Sequence, residues 1–162
     1  SSVEAIIILL NYDKEAAAHQ DNMGRIPLHY ALSNGASFET VKALIEAKPI
    51  TVSAADQDGW TPLHVACNQG CSFDIVETML KENPEGVIHR TNLGSSAIIL
   101  ANKAYSCDKE KILELLKKEE RAQIKKTEYV RIRNAQKRMT KKEKNAMTVR
   151  KVSDDQSVRC VV

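Results

Sequence analysis

A 35-residue internal repeat constrains the fold of this chain more than any other feature. Gly24, Gly59 and Gly94 are 35 residues apart, and MGRIPLH (23–29) and DGWTPLH (58–64) are near copies around the first two. A regular period of this length indicates one supersecondary unit repeated along the chain. Since one such unit cannot bury its apolar face alone, neighbouring units must stack and share a core. The sequence therefore predicts a solenoid.

Each period also carries three aliphatic residues at positions i, i+3 and i+4. That spacing places the three side chains on one face of an α-helix, which predicts one buried helix face per unit. These apolar stripes recur every 35 or 36 residues and are Ile6/Leu9/Leu10, Val41/Leu44/Ile45, Val76/Met79/Leu80 and Ile112/Leu115/Leu116.

Helix boundaries are marked around the stripes. A Ser or Asp side chain can accept a hydrogen bond from a backbone N–H of the first turn, and proline discourages continuation of a helix. The predicted N-caps are Ser2, Ser37, Ser72 and Asp108, and prolines follow two stripes at positions 49 and 84. Each period is therefore predicted to hold a short helix beginning at PLH, a glycine corner, a second helix and a hairpin-like connector.

The second copy reads D-x-x-G-x-T-P-L-H-x-A over residues 56–66 and resembles the signature of the ankyrin repeat. The resemblance implies an all-α, ankyrin-type helix-turn-helix solenoid with short hairpin connectors over residues 1–118. It divides this region into an N-terminally truncated repeat and repeats at about 21–55, 56–90 and 91–118.

The signature residues have structural roles in this interpretation. Gly59 supplies a backbone conformation that a tight turn requires, and Pro62 begins a helix. In the ankyrin family the signature histidine bridges turn and helix, which implies structural roles for His29 and His64. The third copy, SSAII at 95–99, lacks both the proline and the histidine. Terminal repeats often depart from the pattern in this way, because one of their faces meets solvent.

No arrangement of reactive side chains indicates an enzyme. His19 and His89 stand alone in connectors, and a glycine corner separates Cys67 from Cys71. The chain has no His-x₃-His or Cys-x₂-Cys spacing for a tetrahedral metal ion and no glycine-rich phosphate loop. We therefore predict a non-enzymatic chain with no catalytic residues, no metal and no cofactor.

Ankyrin arrays typically bind other proteins through their hairpin tips and the exposed face of their first helices. The resemblance thus implies a protein partner. The corresponding positions here are Asn22, Met23, Arg25, Ser33, Asn34, Gln57, Asp58, Trp60, Asn68, Gln69, Asn92, Leu93, Ser95 and Lys103.

Trp60 is the single tryptophan and occupies a position that the ankyrin signature leaves open. Tryptophan is enriched among the residues that dominate binding energy at interfaces. Two interpretations stay open at this point: the indole contacts a partner, or it lies along the hairpin and holds adjacent repeats together.

Charge divides the chain into two parts. Residues 1–116 hold 9 Lys or Arg and 15 Asp or Glu, whereas residues 117–151 hold 14 and 4. We predict that residues 119–162 form a basic tail, helical at first and then disordered, because no Gly or Pro interrupts good helix formers but no sustained heptad is present. A basic patch in this tail is predicted at Lys137, Arg138, Lys141, Lys142 and Lys144.

The basic tail supports an alternative function. Clusters of Lys and Arg are typical of nuclear-import signals and of nucleic-acid contacts. In this alternative the chain is a nuclear or nucleic-acid-associated protein whose tail makes the contact. A membrane surface or a calmodulin groove is a weaker alternative, since the tail lacks a clean apolar face.

Localisation is predicted from what the chain lacks. The apolar run at 5–10 is too short to span a bilayer, and the four cysteines form no disulfide framework. We expect no membrane span and an intracellular protein, cytoplasmic or nuclear, that acts as a monomer.

Overall fold

The computed structural model describes Glu4, Ile8, Leu10 and residues 12–157, with side chains described as far as residue 139. The chain divides into two compact units, Ser1–Gln123 and Ile124–Val162.

Six α-helices have described bounds, and Glu4, Ile8, Leu10 and Tyr12 are helical as well. The six helices are α1 (Pro27–Ser33), α2 (Phe38–Ala47), α3 (Pro62–Gln69), α4 (Phe73–Glu82), α5 (Ala97–Lys103) and α6 (Lys109–Ser157). Short 3₁₀ helices precede the hairpins at Lys14–Ala18, Pro49–Ser53 and Pro84–Ile88. No strand forms within this part of the chain, and the pairing of Arg90 with Ser96 is an isolated antiparallel bridge. The predicted all-α class is confirmed.

The first helix of each repeat begins at the predicted signature position. α1 and α3 start at Pro27 and Pro62, where the missing N–H is not needed by the helix. α3 is followed by Gly70, whose φ of 66° is the left-handed conformation that a glycine adopts without strain. The chain therefore turns sharply, and α4 begins three residues later at Phe73.

The apolar stripes form one continuous core in the first unit. Its stripe residues are Leu10, Val41, Leu44, Ile45, Val76, Met79, Leu80, Ile112 and Leu116. Leu115 is partly buried against the same cluster, and Ile6 and Leu9 lie outside the described residues. Each fully buried side chain of this size contributes about 1.5–3 kcal/mol, so the shared interior is the main source of stability.

The helices form two layers. The first helices stack in order, α1 on α3 and α3 on α5, while α2 packs on α4. Small side chains allow the close approach of the first helices: Ala66 on α3 and Ala97 on α5 are completely buried. The solenoid predicted from the 35-residue period is thus formed by these layers.

One predicted helix cap is wrong. Ser37 accepts a hydrogen bond from the Thr40 N–H at 3.4 Å, as expected, but the equivalent Ser72 makes no capping bond. Instead, the Asp108 carboxylate accepts a hydrogen bond from the Phe73 N–H at 3.4 Å. The cap of α4 is therefore supplied from the next repeat, 35 residues along the chain.

In the second unit, residues 124–157 continue α6. The helix runs to Ser157, much further than the few turns expected beyond residue 118. Segment 124–139 is exposed throughout and carries six Lys or Arg and one Glu. Lys137 and Arg138 of the predicted basic patch lie in this exposed segment, while the side chains of Lys141, Lys142 and Lys144 lie outside the described residues.

Candidate functional site

The hairpin tips are held by one residue at the base of each turn. The Asp56 N–H donates to the Trp60 carbonyl oxygen at 2.9 Å, and Asp56 Oδ1 accepts from the N–H groups of Asp58 and Trp60. Asp21 makes the equivalent bonds one period earlier. In the third hairpin Thr91 takes this place, and its hydroxyl accepts from the Ser95 N–H at 3.1 Å.

Successive tips are joined by a repeated pair of hydrogen bonds. The Gln57 side chain donates to the Asn22 carbonyl oxygen at 2.7 Å, and the Gln57 N–H donates to the Met23 carbonyl oxygen at 3.0 Å. One repeat later, the Asn92 side chain donates to the Gln57 carbonyl oxygen at 2.9 Å. The backbone N–H of Asn92 donates to the Asp58 carbonyl oxygen at 3.0 Å. We call this arrangement the amide ladder.

The amide ladder was not foreseen, although its signal is visible in the sequence. Positions 22, 57 and 92 are all Asn or Gln at the 35-residue spacing. An amide side chain both donates and accepts, so it can bond a neighbouring backbone at the same place in every repeat. Gln57 and Asn92, predicted to contact a partner, thus also hold the tips in register.

His29 joins two repeats. Its Nδ1 accepts a hydrogen bond from the Ile26 N–H at 3.3 Å, and its Nε2 donates to the Trp60 carbonyl oxygen at 2.9 Å. Because a carbonyl oxygen only accepts, these partners select the neutral tautomer with the proton on Nε2. Burial lowers the pKa of His29 below its usual value, which favours the same neutral form.

His64 repeats this arrangement one period later. Nδ1 lies 2.8 Å from the Thr61 hydroxyl and accepts from the Thr61 N–H at 3.2 Å, and Nε2 donates to the His89 carbonyl oxygen at 3.2 Å. Burial lowers the pKa of His64 as well. The structural roles expected for both signature histidines therefore follow from their hydrogen bonds.

A cleft of about 400 Å³ lies between the first two full repeats, and we call it the central cleft. One side is formed by the tips and the other by the ends of α1 and α3. It is lined by Arg25, His29, Tyr30, Ser33, Asn34, Asp56, Asp58, Trp60, Val65, Asn68 and Gln69.

Half of the predicted partner-binding residues meet in the central cleft. These are Arg25, Ser33, Asn34, Asp58, Trp60, Asn68 and Gln69. The others lie elsewhere: Asn22, Met23, Gln57, Asn92, Leu93, Ser95 and Lys103. Leu93 is 92% exposed at the third tip, whereas Ser95 is half-buried and its N–H is bonded within its own turn.

Four lining residues were missed from the sequence: His29, Tyr30, Asp56 and Val65. Tyr30 and Val65 occupy the same repeat position, on the side of the first helix that faces the cleft. The Tyr30 hydroxyl donates a hydrogen bond to the Asp21 carboxylate, and this bond is the main reason that the pKa of Asp21 is lowered.

Trp60 lies at one side of the central cleft. Its ring meets the His64 ring edge-on, with centroids 6.3 Å apart and an angle of 68° between the planes. The indole also packs against the core but keeps part of its surface in the cleft. Within the described residues no group accepts a hydrogen bond from the indole N–H.

A second, apolar cleft of about 490 Å³ lies beside α1 and shares Tyr30 and Asn34 with the central cleft. It is lined by Leu10, Ala16, Ala17, Pro27, Tyr30, Ala31, Asn34 and Leu44. The equivalent face of α3 includes Pro62 and Ala66, which are buried. The apolar cleft is thus the side of α1 that corresponds to a covered surface in the next repeat.

Metal ligands and cysteine reactivity were considered for the described part of the chain. No group of three His, Cys, Asp or Glu residues is placed there to hold a metal ion. Cys67 is buried as a small core residue, and burial raises its pKa to about 12, which keeps the thiol protonated and unreactive.

Comparison with known families agrees with this architecture. A family model of ankyrin repeats in three copies matches residues 36–128, more than half of the chain. The chain belongs to the ankyrin-repeat family. Ankyrin repeats are generally protein–protein interaction modules and are typically non-enzymatic. No curated protein is similar enough to this ankyrin-repeat chain to count as a match.

The matched segment begins later than the repeats seen in the structure. It starts at residue 36, whereas the first hairpin and α1 of the same architecture precede it. Among the residues that the structure describes, no helix combines the length and apolar character needed to cross a bilayer.

Proposed function

We propose that this ankyrin-repeat chain is a non-enzymatic module that binds a segment of another protein in the central cleft. The observation that carries the proposal is the meeting of tip residues and first-helix residues in one concave surface. Binding sites are typically concave, with a few polar groups that fix the orientation of the ligand.

The chemistry of the lining suits a peptide chain. Asn68 and Gln69 are exposed at the end of α3, and Ser33 is exposed at the equivalent place on α1. Amide and hydroxyl side chains donate and accept hydrogen bonds, so they can contact a peptide backbone of any sequence. Trp60 adds an aromatic surface of the kind that concentrates binding energy at interfaces.

Selection from a library of displayed peptides tests this proposal. The full chain is the bait, and recovered peptides are measured against wild type, Asn68→Ala/Gln69→Ala and Asn102→Ala. Both removed amides are exposed on a helix, where alanine is the best helix former, so the fold should persist. Asn102 is an exposed amide on α5 that does not line the central cleft.

The expected result is a loss of about tenfold or more in affinity for the double variant, in line with a contribution of about 1 kcal/mol from each of several hydrogen bonds. The Asn102→Ala control should bind like wild type. Peptides whose affinity is unchanged by the double variant would show that the central cleft is not the binding surface.

We propose a second function for the exposed segment 124–139 of α6, which is contact with nucleic acid. Its six Lys or Arg residues against one Glu favour a polyanion. Cationic side chains around a helix suit phosphates, because phosphate contacts depend on charge rather than on an apolar face.

Binding of the full chain to a labelled single-stranded RNA, measured at several salt concentrations, tests this second function. Arg131→Gln/Arg133→Gln should reduce the slope of log affinity against log salt by about 1.4, since each of two phosphate contacts on a single strand contributes about 0.7. Lys42→Gln on α2 is the matched control and should change nothing. An unchanged salt dependence in the double variant would exclude this segment as the contact.

We further propose that the module acts as a monomer within the cell, in the cytoplasm or the nucleus. Cys67, Cys71 and Cys107 are free thiols, which is the usual state in a reducing compartment. Light scattering of the purified chain checks the monomer, and a dimer at micromolar concentration would contradict it.

A further inference from the structure

The Asp side chains at the hairpin tips differ in whether their carboxylates are bonded within the protein. The Asp21 carboxylate accepts a hydrogen bond from the Tyr30 hydroxyl and also bonds two N–H groups of its own turn. Asp56 bonds two N–H groups through Oδ1, while its Oδ2 lies 3.6 Å from Arg25 Nε. Both carboxylates are therefore occupied by groups of the protein.

Asp58 differs from these two carboxylates. It lines the central cleft and is exposed, and no Lys or Arg among the described residues forms an ion pair with it. Its N–H donates to Asp56 Oδ1 at 3.0 Å, and its carbonyl oxygen accepts from the Asn92 N–H at 3.0 Å. The backbone is thus fixed from both sides while the carboxylate stays available to a ligand.

Trp60 follows Asp58 by two positions in the sequence and also lines the central cleft. Trp60 presents part of its indole to the cleft and lies on the same short turn as Asp58. The face of an indole attracts cations, and its flat surface accommodates the aliphatic stem of Lys or Arg. A carboxylate beside an indole suits a long cationic side chain better than an acidic or small polar one.

The net charge of the residues around Asp58 is also negative. The lining residues carry one cation, Arg25, against the two carboxylates Asp56 and Asp58, and His29 is held neutral by its hydrogen bonds. Residues 1–116 as a whole hold 15 acidic and 9 basic side chains. A negative cleft on a negative body raises the association rate of cationic ligands.

We infer that the partner segment bound by the central cleft is basic, and that it places a Lys or Arg side chain against Asp58 and the indole of Trp60. The amides at the end of α3 contact the backbone of the same segment. This inference rests on the proposed protein-binding function, because it names the chemistry of the partner at the same surface.

The single tryptophan of the chain makes this inference directly measurable, because intrinsic tryptophan fluorescence reports on Trp60 alone. The full chain is titrated with three capped peptides of alternating alanine and a second residue, which is Lys, Gln or Glu. The lysine peptide should change the emission in a saturable way, while the glutamine and glutamate peptides should not. Equal binding of the glutamine peptide would overturn the inference.

Asp58→Asn supplies the specific variant. It keeps the size of the side chain and leaves both backbone hydrogen bonds of this residue in place, so the turn should fold as before. The lysine peptide should bind this variant about fivefold more weakly or worse, as expected for losing one partly exposed charge pair. Asp74→Asn, an exposed carboxylate in the first turn of α4, should have no effect. Equal losses in the two variants would mean general attraction to an acidic surface and would contradict the inference.

Peptides recovered from the display selection separate this inference from the proposed function. Enrichment of Lys and Arg, with weaker binding to Asp58→Asn, supports both. Recovered peptides that need Asn68 and Gln69 but show no basic enrichment would overturn the inference and leave the protein-binding function standing. A failure to recover any peptide that depends on the cleft would overturn both.

Discussion

His29 on α1 donates a hydrogen bond from Nε2 to the carbonyl oxygen of Trp60, 2.9 Å away in the hairpin of the following repeat. The same imidazole accepts from the Ile26 N–H through Nδ1. A protonated ring carries a hydrogen on both nitrogens, so it could not accept the second bond. One neutral side chain therefore couples a helix start to the next hairpin.

We predict that the free energy of unfolding decreases as the pH falls below the usual histidine range. Burial lowers the pKa of His29 and of His64 in the folded state, whereas the unfolded chain takes up protons near the ordinary value of about 6.5. The unfolded state then binds more protons, which means that stability is complete above this pH and is lost progressively below it. Urea unfolding at about pH 7.5 and pH 5.5, on either side of this value, measures the loss.

Two variants test whether His29 and His64 cause the loss of unfolding free energy at low pH. His29→Gln/His64→Gln should be less stable than wild type near neutral pH. Its free energy of unfolding should fall less on acidification, because the titrating groups are gone. His19→Gln, at an exposed connector position, should keep the wild-type loss. If wild type were equally stable at both pH values, the neutral histidines would not support the stack as described.

A pair of glycines tests the contact between tips. Gly59 has a φ of 76°, and a Cβ there would come within 2.7 Å of the Asn92 side-chain oxygen. Gly94 has a φ of 80°, but nothing lies within 4 Å of its Cβ position. Gly94→Ala should cost about 1–2 kcal/mol for the left-handed conformation alone. Gly59→Ala should cost about 1–2 kcal/mol more in urea unfolding, because it also displaces the hydrogen bonds of Asn92. Equal costs would mean that the amide ladder adds no stability.

Two serines at equivalent positions test the helix caps. Ser37→Ala should lower the free energy of unfolding by about 1 kcal/mol, since the Ser37 hydroxyl caps α2. Ser72→Ala should stay within about 0.5 kcal/mol of wild type, because the Ser72 side chain makes no capping bond. Asp108→Ala should instead lower the free energy of unfolding, because it removes the cap of α4. The reverse order of the two serine variants would refute the assignment of Asp108 as the cap.

Trp60→Ala separates the two roles considered for this residue. We expect the affinity for a partner segment to fall by about 2 kcal/mol, as for a residue that dominates an interface. The free energy of unfolding should fall by less than this, because only part of the indole contacts the core. Affinity is measured by titration calorimetry and stability by thermal unfolding. An equal loss in both would indicate that the indole chiefly holds the repeats together.

The sequence was sufficient to predict the architecture because the signals repeat. Stripe residues such as Leu44 and Met79 share one interior, as their 35-residue spacing predicted. The roles of His29 and His64 followed from the ankyrin resemblance and agree with their hydrogen bonds. Periodicity fixes which side chains point inward, so packing follows from it directly.

Features that depend on neighbouring repeats were harder to predict. The pattern around Ser72 matches that around Ser37, yet the cap of α4 comes from Asp108, which only the stacking brings close. Asp56 stands in a turn, where carboxylates are usually exposed, but its side chain is only 6% exposed beside Arg25 of the preceding repeat. The central cleft likewise forms between repeats, so no single copy of the motif reveals it.

The most direct test of the account is to map the contact of a selected peptide by NMR on the labelled full chain. We predict that the largest shifts fall on the backbone amides of Ser33, Asn68 and Gln69 and on the single indole N–H of Trp60. Shifts concentrated instead on the exposed residues of α2 and α4, with an unchanged indole signal, would contradict a binding surface in the central cleft.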